Sequence, residues 1–154
     1  MKKVNWNTSK RLGDSYRVGD GVFVLANEEK QSVKWTKKEL QFLKPYYTTK
    51  ETQRYYANPQ NKYWILYTDN EVNARIEEYP DIKKHLDQFQ SIITSVNKPY
   101  GLHRTRDEAI FLGEKILATR KCARPTFAYV DFPSYISRTF LVIKSGRIDL
   151  KYLM

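Results

Sequence analysis

A chain of 154 residues can bury a core without disulfide or metal staples, and one domain is the expectation at this length. The single cysteine excludes an intramolecular disulfide and fits a reducing, cytoplasmic setting, while no apolar run approaches a membrane span and no apolar block of a signal peptide stands at the N-terminus. With 27 basic against 17 acidic side chains the formal charge is +10, which favours a polyanionic partner, nucleic acid first.

Residues 1–15 are polar and mixed in charge, and read as a loose start or a linker from something upstream. Tyr16-Arg-Val and Gly21-Val-Phe-Val-Leu read as two strand-like pieces around the Gly19-Asp-Gly21 turn. Glu28 to Ser32 reads as a charged loop. Thr36-Lys-Lys-Glu39 is a capping box that opens a helix with Leu40 and Leu43 on its apolar face, ending before Pro45. Thr48-Thr-Lys-Glu51 repeats the pattern and predicts a second short helix towards Tyr56. Asn58-Pro-Gln-Asn61 is a turn, and Tyr63-Trp-Ile-Leu-Tyr67 is a run of β-formers that suits a central strand.

The strongest helical signal follows. Pro80 suits the first helical position and Asp81 the first turn. Ile82, Leu86, Phe89, Ile93 and Val96 then repeat at steps of four and three, which predicts one long helix over 80–96 with a core-facing stripe. His85 is expected on the polar side of that helix, at the surface. Thr105 to Glu108 is a third capping box and Gly113 a helix stop. Arg138-Thr-Phe-Leu-Val-Ile143 is a further strand. Asp149 caps a helix that begins at Leu150 and reaches Met154 after barely one turn, which predicts a natural polypeptide that continues. The expected fold is α+β, with a mixed, mostly antiparallel sheet of about five or six strands near residues 22, 65, 117, 128 and 141. One long helix and several short ones would pack on it.

The stretch from Asn97 to Asp131 carries most of the functional signal. Seven cations (Lys98, Arg104, Arg106, Lys115, Arg120, Lys121 and Arg124) surround two alternating apolar runs, Lys115-Ile-Leu-Ala-Thr and Thr126-Phe-Ala-Tyr-Val. Arg104 and Arg106 fall in a loop before a short helix. Arg120, Lys121 and Arg124 fall in the connection between two strands. An arginine fork can hold the O6 and N7 acceptors of guanine or grip a phosphate, whereas lysine mainly contributes phosphate contacts. Loops on a rigid sheet are where such readers sit. The candidate DNA-binding residues are Lys98, His103, Arg104, Arg106, Lys115, Arg120, Lys121, Arg124 and Tyr135. Each has a bland counterpart: Lys115 and Arg138 can simply solvate strand ends, and Tyr100, Tyr129 and Tyr135 can be half-buried packing. Glu114 and Asp107 can read cytosine amino groups or pair with neighbouring cations. Phe111, Ile116 and Phe127 read as core, and Gly113 and Pro125 as structural.

Signals for catalysis are weak. Asn97-Lys-Pro-Tyr100 imitates the catalytic (Asn/Asp)-Pro-Pro-(Tyr/Phe) of a methyltransferase, but lysine replaces the first proline and no Gly-rich turn precedes it. Asp81-Ile-Lys83 and Asp149-Leu-Lys151 supply only the last element of a metal-dependent nuclease. One cysteine rules out a zinc site of ordinary spacing, and Cys122 among Lys121 and Arg124 reads as an unreactive thiol.

His103-Arg104, Arg106, Phe111, Gly113-Glu-Lys115-Ile116 and Arg124-Pro125-Thr126-Phe127-Ala128 together resemble the TaqI-like C-terminal specificity domain of adenine-N6 DNA methyltransferases. Type IIG restriction–modification enzymes carry the same module. The resemblance spans roughly residues 16–154, with looser matches at Gly21 to Leu25, Leu43-Lys-Pro45 and Arg54-Tyr55, while Tyr63 to Thr68 resembles the family's central strand and Tyr79-Pro80 with Leu86 its long helix. It implies a target-recognition domain over 16–154 that selects a short duplex sequence from the major groove. A linked catalytic domain would flip and methylate an adenine. S-adenosylmethionine, with Mg for a parent that also cleaves, would then belong to the parent enzyme. The fragment itself would hold no cofactor or metal and catalyse nothing. Two other readings stand beside this one. In the first, an independent module binds single-stranded RNA, using Tyr63 to Tyr67 as a stacking surface. In the second, the chain is a small metal-dependent nuclease.

Overall fold

The computed structural model describes residues 3–5, 16–102, 105–120, 123–124 and 126–153. In chain order the strands are β1 (Val24–Ala26), β2 (Leu43–Tyr47), β3 (Thr52–Gln53), β4 (Tyr56–Ala57), β5 (Tyr63–Leu66), β6 (Lys115–Thr119), β7 (Phe127–Val130), β8 (Tyr135–Ile136) and β9 (Phe140–Ile143). The helices are α1 (Asn27–Ser32), α2 (Lys37–Leu40), α3 (Asn70–Ala74) and α4 (Pro80–Asp87), with 3-10 turns at Ile76–Glu78, Glu108–Ile110 and Leu150–Leu153. The architecture is α+β. The chain forms two compact units, each built from two stretches: 1–44 with 63–105, and 45–62 with 106–154.

In the first unit β1 and β5 pair antiparallel, Val24 opposite Ile65 and Ala26 opposite Tyr63. Residues 3–5 are tied in: Lys3 bridges to Gly21, and Val4 is buried with its N–H on the Asp20 carbonyl at 2.9 Å. The charged stretch after β1 is a helix rather than the expected loop. Glu28 and Glu29 stand in its first turn, where carboxylates suit the exposed N–H groups. Glu29 accepts from Ala26 N and Gly21 N, both at 2.6 Å, and from Lys3 Nζ at 3.2 Å. A Cβ on Gly21 would lie 2.7 Å from the Val24 carbonyl oxygen and 2.8 Å from that carboxylate, so the turn requires glycine.

The Thr36 capping box forms as its spacing predicts, and α2 ends at Leu40. Its Glu39 does more than close that box. The side chain is fully buried and accepts from Thr36 N (2.9 Å), Thr36 Oγ1 (2.7 Å), Asp81 N (2.8 Å) and Ile82 N (3.1 Å). One carboxylate therefore serves the N-termini of both α2 and α4.

The long helix expected over 80–96 stops at Asp87. Beyond it Phe89 and Ile92 donate three residues back, to Leu86 and Phe89, so the chain tightens into turns while Phe89, Ile92 and Ile93 stay buried. Asp87 is an anion at a helix C-terminus, and Tyr100 Oη (2.8 Å) and Gln90 Nε2 (2.5 Å) draw its carboxylate out of the helical run. His85 is buried, against the expectation. It stands three residues from Ile82 and four from Phe89, which puts it on the apolar stripe. Trp35 and Phe89 flank its ring, at 5.9 and 5.4 Å between centroids. Nε2 lies 2.9 Å from the Val22 carbonyl oxygen, so it carries the proton; burial holds the pKa below the ordinary histidine value.

In the second unit β6 is the middle of a three-stranded antiparallel sheet ordered β7-β6-β9. Leu117 stands opposite Ala128 and Val142, and Ala118 opposite Phe127 and Leu141. On one face Leu117, Ala128, Val130 and Phe140 join Ala57 in a core. The C-terminal half of β2 runs parallel to β8, Tyr46 opposite Tyr135. The strands expected in one sheet thus fall into separate ones. The second capping motif does not open a helix. Glu51 does bond Thr48 N (2.8 Å) and Oγ1 (2.6 Å), but Thr52–Gln53 and Tyr56–Ala57 then pair as a hairpin that turns through Tyr55 at φ 71°. Its Tyr55 N–H reaches the Phe127 carbonyl at 2.7 Å, so the backbone prefers to extend a sheet. The third motif is capped by Asp107, which accepts from Ala109 N at 2.9 Å, rather than by Thr105.

Candidate nucleic-acid interface

Of the residues expected to meet DNA, Lys98 is exposed in the first unit, while Arg106, Arg120 and Arg124 are exposed in the second. His103, Arg104 and Lys121 lie outside the described residues, as do Cys122 and Pro125.

Lys115 and Tyr135 are interior. Lys115 is fully buried at the start of β6, donating from Nζ to the carbonyls of Gly113 (2.9 Å) and Phe132 (2.8 Å). Burial, joined by the nearby Lys144 charge and opposed by Asp131, lowers its pKa to about 8. Tyr135 is buried against Phe111, with ring centroids 4.7 Å apart, and its hydroxyl donates to Glu108. Neither side chain can touch a ligand without leaving the core. Lys144 is likewise committed, to the carbonyls of Ala109 (2.7 Å) and Leu112 (2.8 Å). These two lysines fasten the segment that leads into β6.

Three arginines gather at one end of the β7-β6-β9 sheet. Arg120 directly follows β6, where its backbone N–H meets the Thr139 carbonyl at 2.8 Å and its Nη1 the Arg138 carbonyl at 3.4 Å. Arg138 precedes β9, and Arg124 lies in the connection that Thr119 N closes on the Thr126 carbonyl at 3.1 Å. All three are exposed. Arg138, read from sequence as a solvated strand start, is the member of this group that sequence reasoning missed.

The second face of this sheet is partly exposed among the described residues. Strand alternation and the register put Phe127, Tyr129, Ile116, Ala118, Leu141 and Ile143 on it together. Phe127 is 42% exposed, Leu141 54% and Ile143 39%, whereas Ile116 and Ala118 are buried between them. Phe127 was expected in the core; the neighbouring Ala128 and Val130 take that place instead. Tyr129 Oη donates to Glu114 Oε1 at 2.7 Å, a bond that pushes the phenol pKa up to about 12, and the Lys151 ammonium stands 5.3 Å from its ring centroid.

The stacking surface proposed for Tyr63 to Tyr67 is largely taken. Ile65, Leu66 and Tyr67 are buried, the Trp64 indole donates to Asn27 Oδ1 at 2.8 Å, and the Lys30 ammonium lies 3.3 Å from the Trp64 ring. The methyltransferase-like Asn97 to Tyr100 is a structural turn. Asn97 Nδ2 donates to the Leu102 carbonyl (2.8 Å), Gly101 N to the Asn97 carbonyl (2.8 Å), and Thr68 Oγ1 to the carbonyl of the buried Tyr100 (2.6 Å). The Asn97 amide is thus built into the turn. Asp149 caps its own turn at Lys151 N (2.9 Å), and Asp81 belongs to the helix start that Glu39 holds. A groove of about 640 Å³ in the first unit is lined by carboxylates and cations together, Asp20, Glu29 and Asp81 with Lys34 and Lys84, and so favours no one sign of ligand. Among the described residues no three His, Cys, Asp or Glu side chains stand together as a metal site, and no helix is long and apolar enough to cross a membrane. Compared with known proteins, the chain matches no family model and no curated protein.

Proposed function

We propose that this chain is a sequence-specific double-stranded DNA recognition domain, non-catalytic by itself, of an adenine-N6 DNA methyltransferase or IIG-like restriction–modification enzyme. The observation that carries the reading is the cluster of Arg120, Arg124 and Arg138, three exposed planar forks on the turns of a rigid sheet. Such forks suit guanine edges and phosphates alike. The net charge of +10 supports the same partner. The link to a methyltransferase rests on the sequence resemblance around Arg106, Gly113 to Ile116 and Arg124 to Ala128. The linked catalytic domain would supply S-adenosylmethionine and the chemistry, with Mg where the parent also cleaves.

Duplex binding should weaken steeply with salt, because each neutralised phosphate contributes a slope of about −0.9 in log K against log salt. Arg120→Ala/Arg124→Ala/Arg138→Ala should lower that slope by roughly two to three units if the cluster grips the backbone. Selection from a randomised duplex pool should enrich one short sequence, with Arg120→Ala relaxing the preference at a guanine. Unchanged affinity, slope and preference in the triple variant would sink the reading.

A further inference from the structure

Four large apolar side chains on one face of a three-stranded sheet, with an arginine cluster at its end, form a surface whose chemistry can be read. β6 lies in the middle, and its Ile116 and Ala118 make a covered floor, 2% and 6% exposed. Phe127 and Tyr129 rise from β7 on one side, Leu141 and Ile143 from β9 on the other. The two rings are two residues apart on one strand. At about 3.4 Å per residue they are spaced by roughly 7 Å, twice the 3.4 Å rise of stacked bases along a nucleic-acid strand. Bases meeting both rings must therefore have left each other's stack. A duplex keeps its base faces inside, so it cannot offer them. Glu114 holds the Tyr129 hydroxyl and the Lys151 ammonium stands 5.3 Å from its ring centroid, so the ring is already oriented and a base stacking on it takes the place of that ammonium. By the same alternation Arg120 continues the row of Ile116 and Ala118, beside Phe127. The charge at that end is positive, with Arg124 and Arg138 adjoining, and matches a phosphate chain leaving the rings.

We propose that the second face of the β7-β6-β9 sheet binds single-stranded DNA by stacking two unpaired bases on Phe127 and Tyr129. This rests on the nucleic-acid reading above and adds to it a second ligand form and the surface that takes it. Leu141 and Ile143 form the apolar wall along the other side. Arg120 takes the phosphate next to the base on Phe127.

The test is fluorescence anisotropy of the full chain with labelled dT12 and with a blunt 20-base-pair duplex. The variants are Phe127→Leu/Tyr129→Leu and, as a ring-keeping control, Tyr129→Phe. Base–aromatic stacking predicts a loss of about tenfold or more in dT12 affinity for the double variant. The control should retain binding within about twofold, and duplex affinity should change less than about twofold in either variant. Phe127 is exposed, so equal urea midpoints for wild type and variants check that the fold is kept. Unchanged dT12 affinity in the double variant overturns the proposal, and so does binding of the duplex alone, which leaves the duplex reading standing. Binding of neither ligand removes both. Sedimentation should show a monomer at binding concentrations; a dimer that Phe127→Leu dissociates would show that a second copy covers this face, and would also overturn the proposal.

Discussion

Glu39→Ala should lower the unfolding free energy by about 3–5 kcal/mol, read as a drop in urea midpoint at unchanged slope. The carboxylate is fully buried and accepts from four donors, two on Thr36 and the backbone N–H groups of Asp81 and Ile82. Truncation leaves the N–H groups at two helix starts without this acceptor, and the Ile82 one is buried, where an unsatisfied group costs about 1–3 kcal/mol. Glu39→Gln keeps the shape but turns an NH2 toward donors, so it should recover only part of the loss. Burial by itself would raise the Glu39 pKa, but the hydrogen bonds outweigh it and hold the carboxyl below the ordinary value of 4.5. A depressed folded-state pKa means that the stabilisation is present above the unfolded value and is lost as pH falls through the folded one. Acid should therefore erode wild type below about pH 4.5 more steeply than Glu39→Gln. A Glu39→Ala midpoint matching wild type would show that α2 and α4 do not depend on this group.

Lys115 should make the protein more stable as pH rises from 8. Its folded pKa is lowered to about 8 from an ordinary 10.5. Between those values the unfolded chain binds the proton that the folded one has released, so the unfolding free energy climbs with pH. The full window corresponds to about 3 kcal/mol, and roughly 2 kcal/mol of it falls between pH 8 and 9.5. Urea midpoints for wild type and Lys115→Met at pH 7.5 and 9.5 check this. Wild type should gain on the variant over that interval; parallel behaviour would mean that the ammonium is solvated in the folded state and that its pKa is not lowered.

What could be read along the chain depended on where each residue's partners lie. The Thr36 box was legible because donor and acceptor are three residues apart. The further bonds from Glu39 to Asp81 and Ile82 cross more than forty positions, and no local pattern marks them. The same holds for Lys115: its strand was clear, but the Phe132 carbonyl that keeps it inside was not. His85 was misplaced because residue type outweighed its position three after Ile82. The strand at Phe127 to Val130 was clear, yet its inward side was not. Phe127 and Tyr129 alternate with Ala128 and Val130, so neither side is polar enough to mark the solvent, and bulk pointed to the wrong one. Of the candidate interface, Arg120 and Arg124 were visible as cations in a turn. Arg138 joins them only through the β6–β9 pairing, which sequence alone does not supply.

The two units interrupt one another along the chain, 45–62 being an excursion from the first and 63–105 from the second. At the level of the gene this makes simple deletion mapping misleading. A piece ending at 105 holds every residue of the first unit plus an orphaned β3–β4 hairpin, and a piece starting at 45 holds the second unit plus β5 and α4 stripped of Glu39. Each would carry an exposed remnant prone to pair with other chains. During synthesis, too, the hairpin at 52–57 must wait for β7, some seventy residues later, before its edge is covered. Assembly then turns on closing long loops, the slow step in sheets built from distant strands.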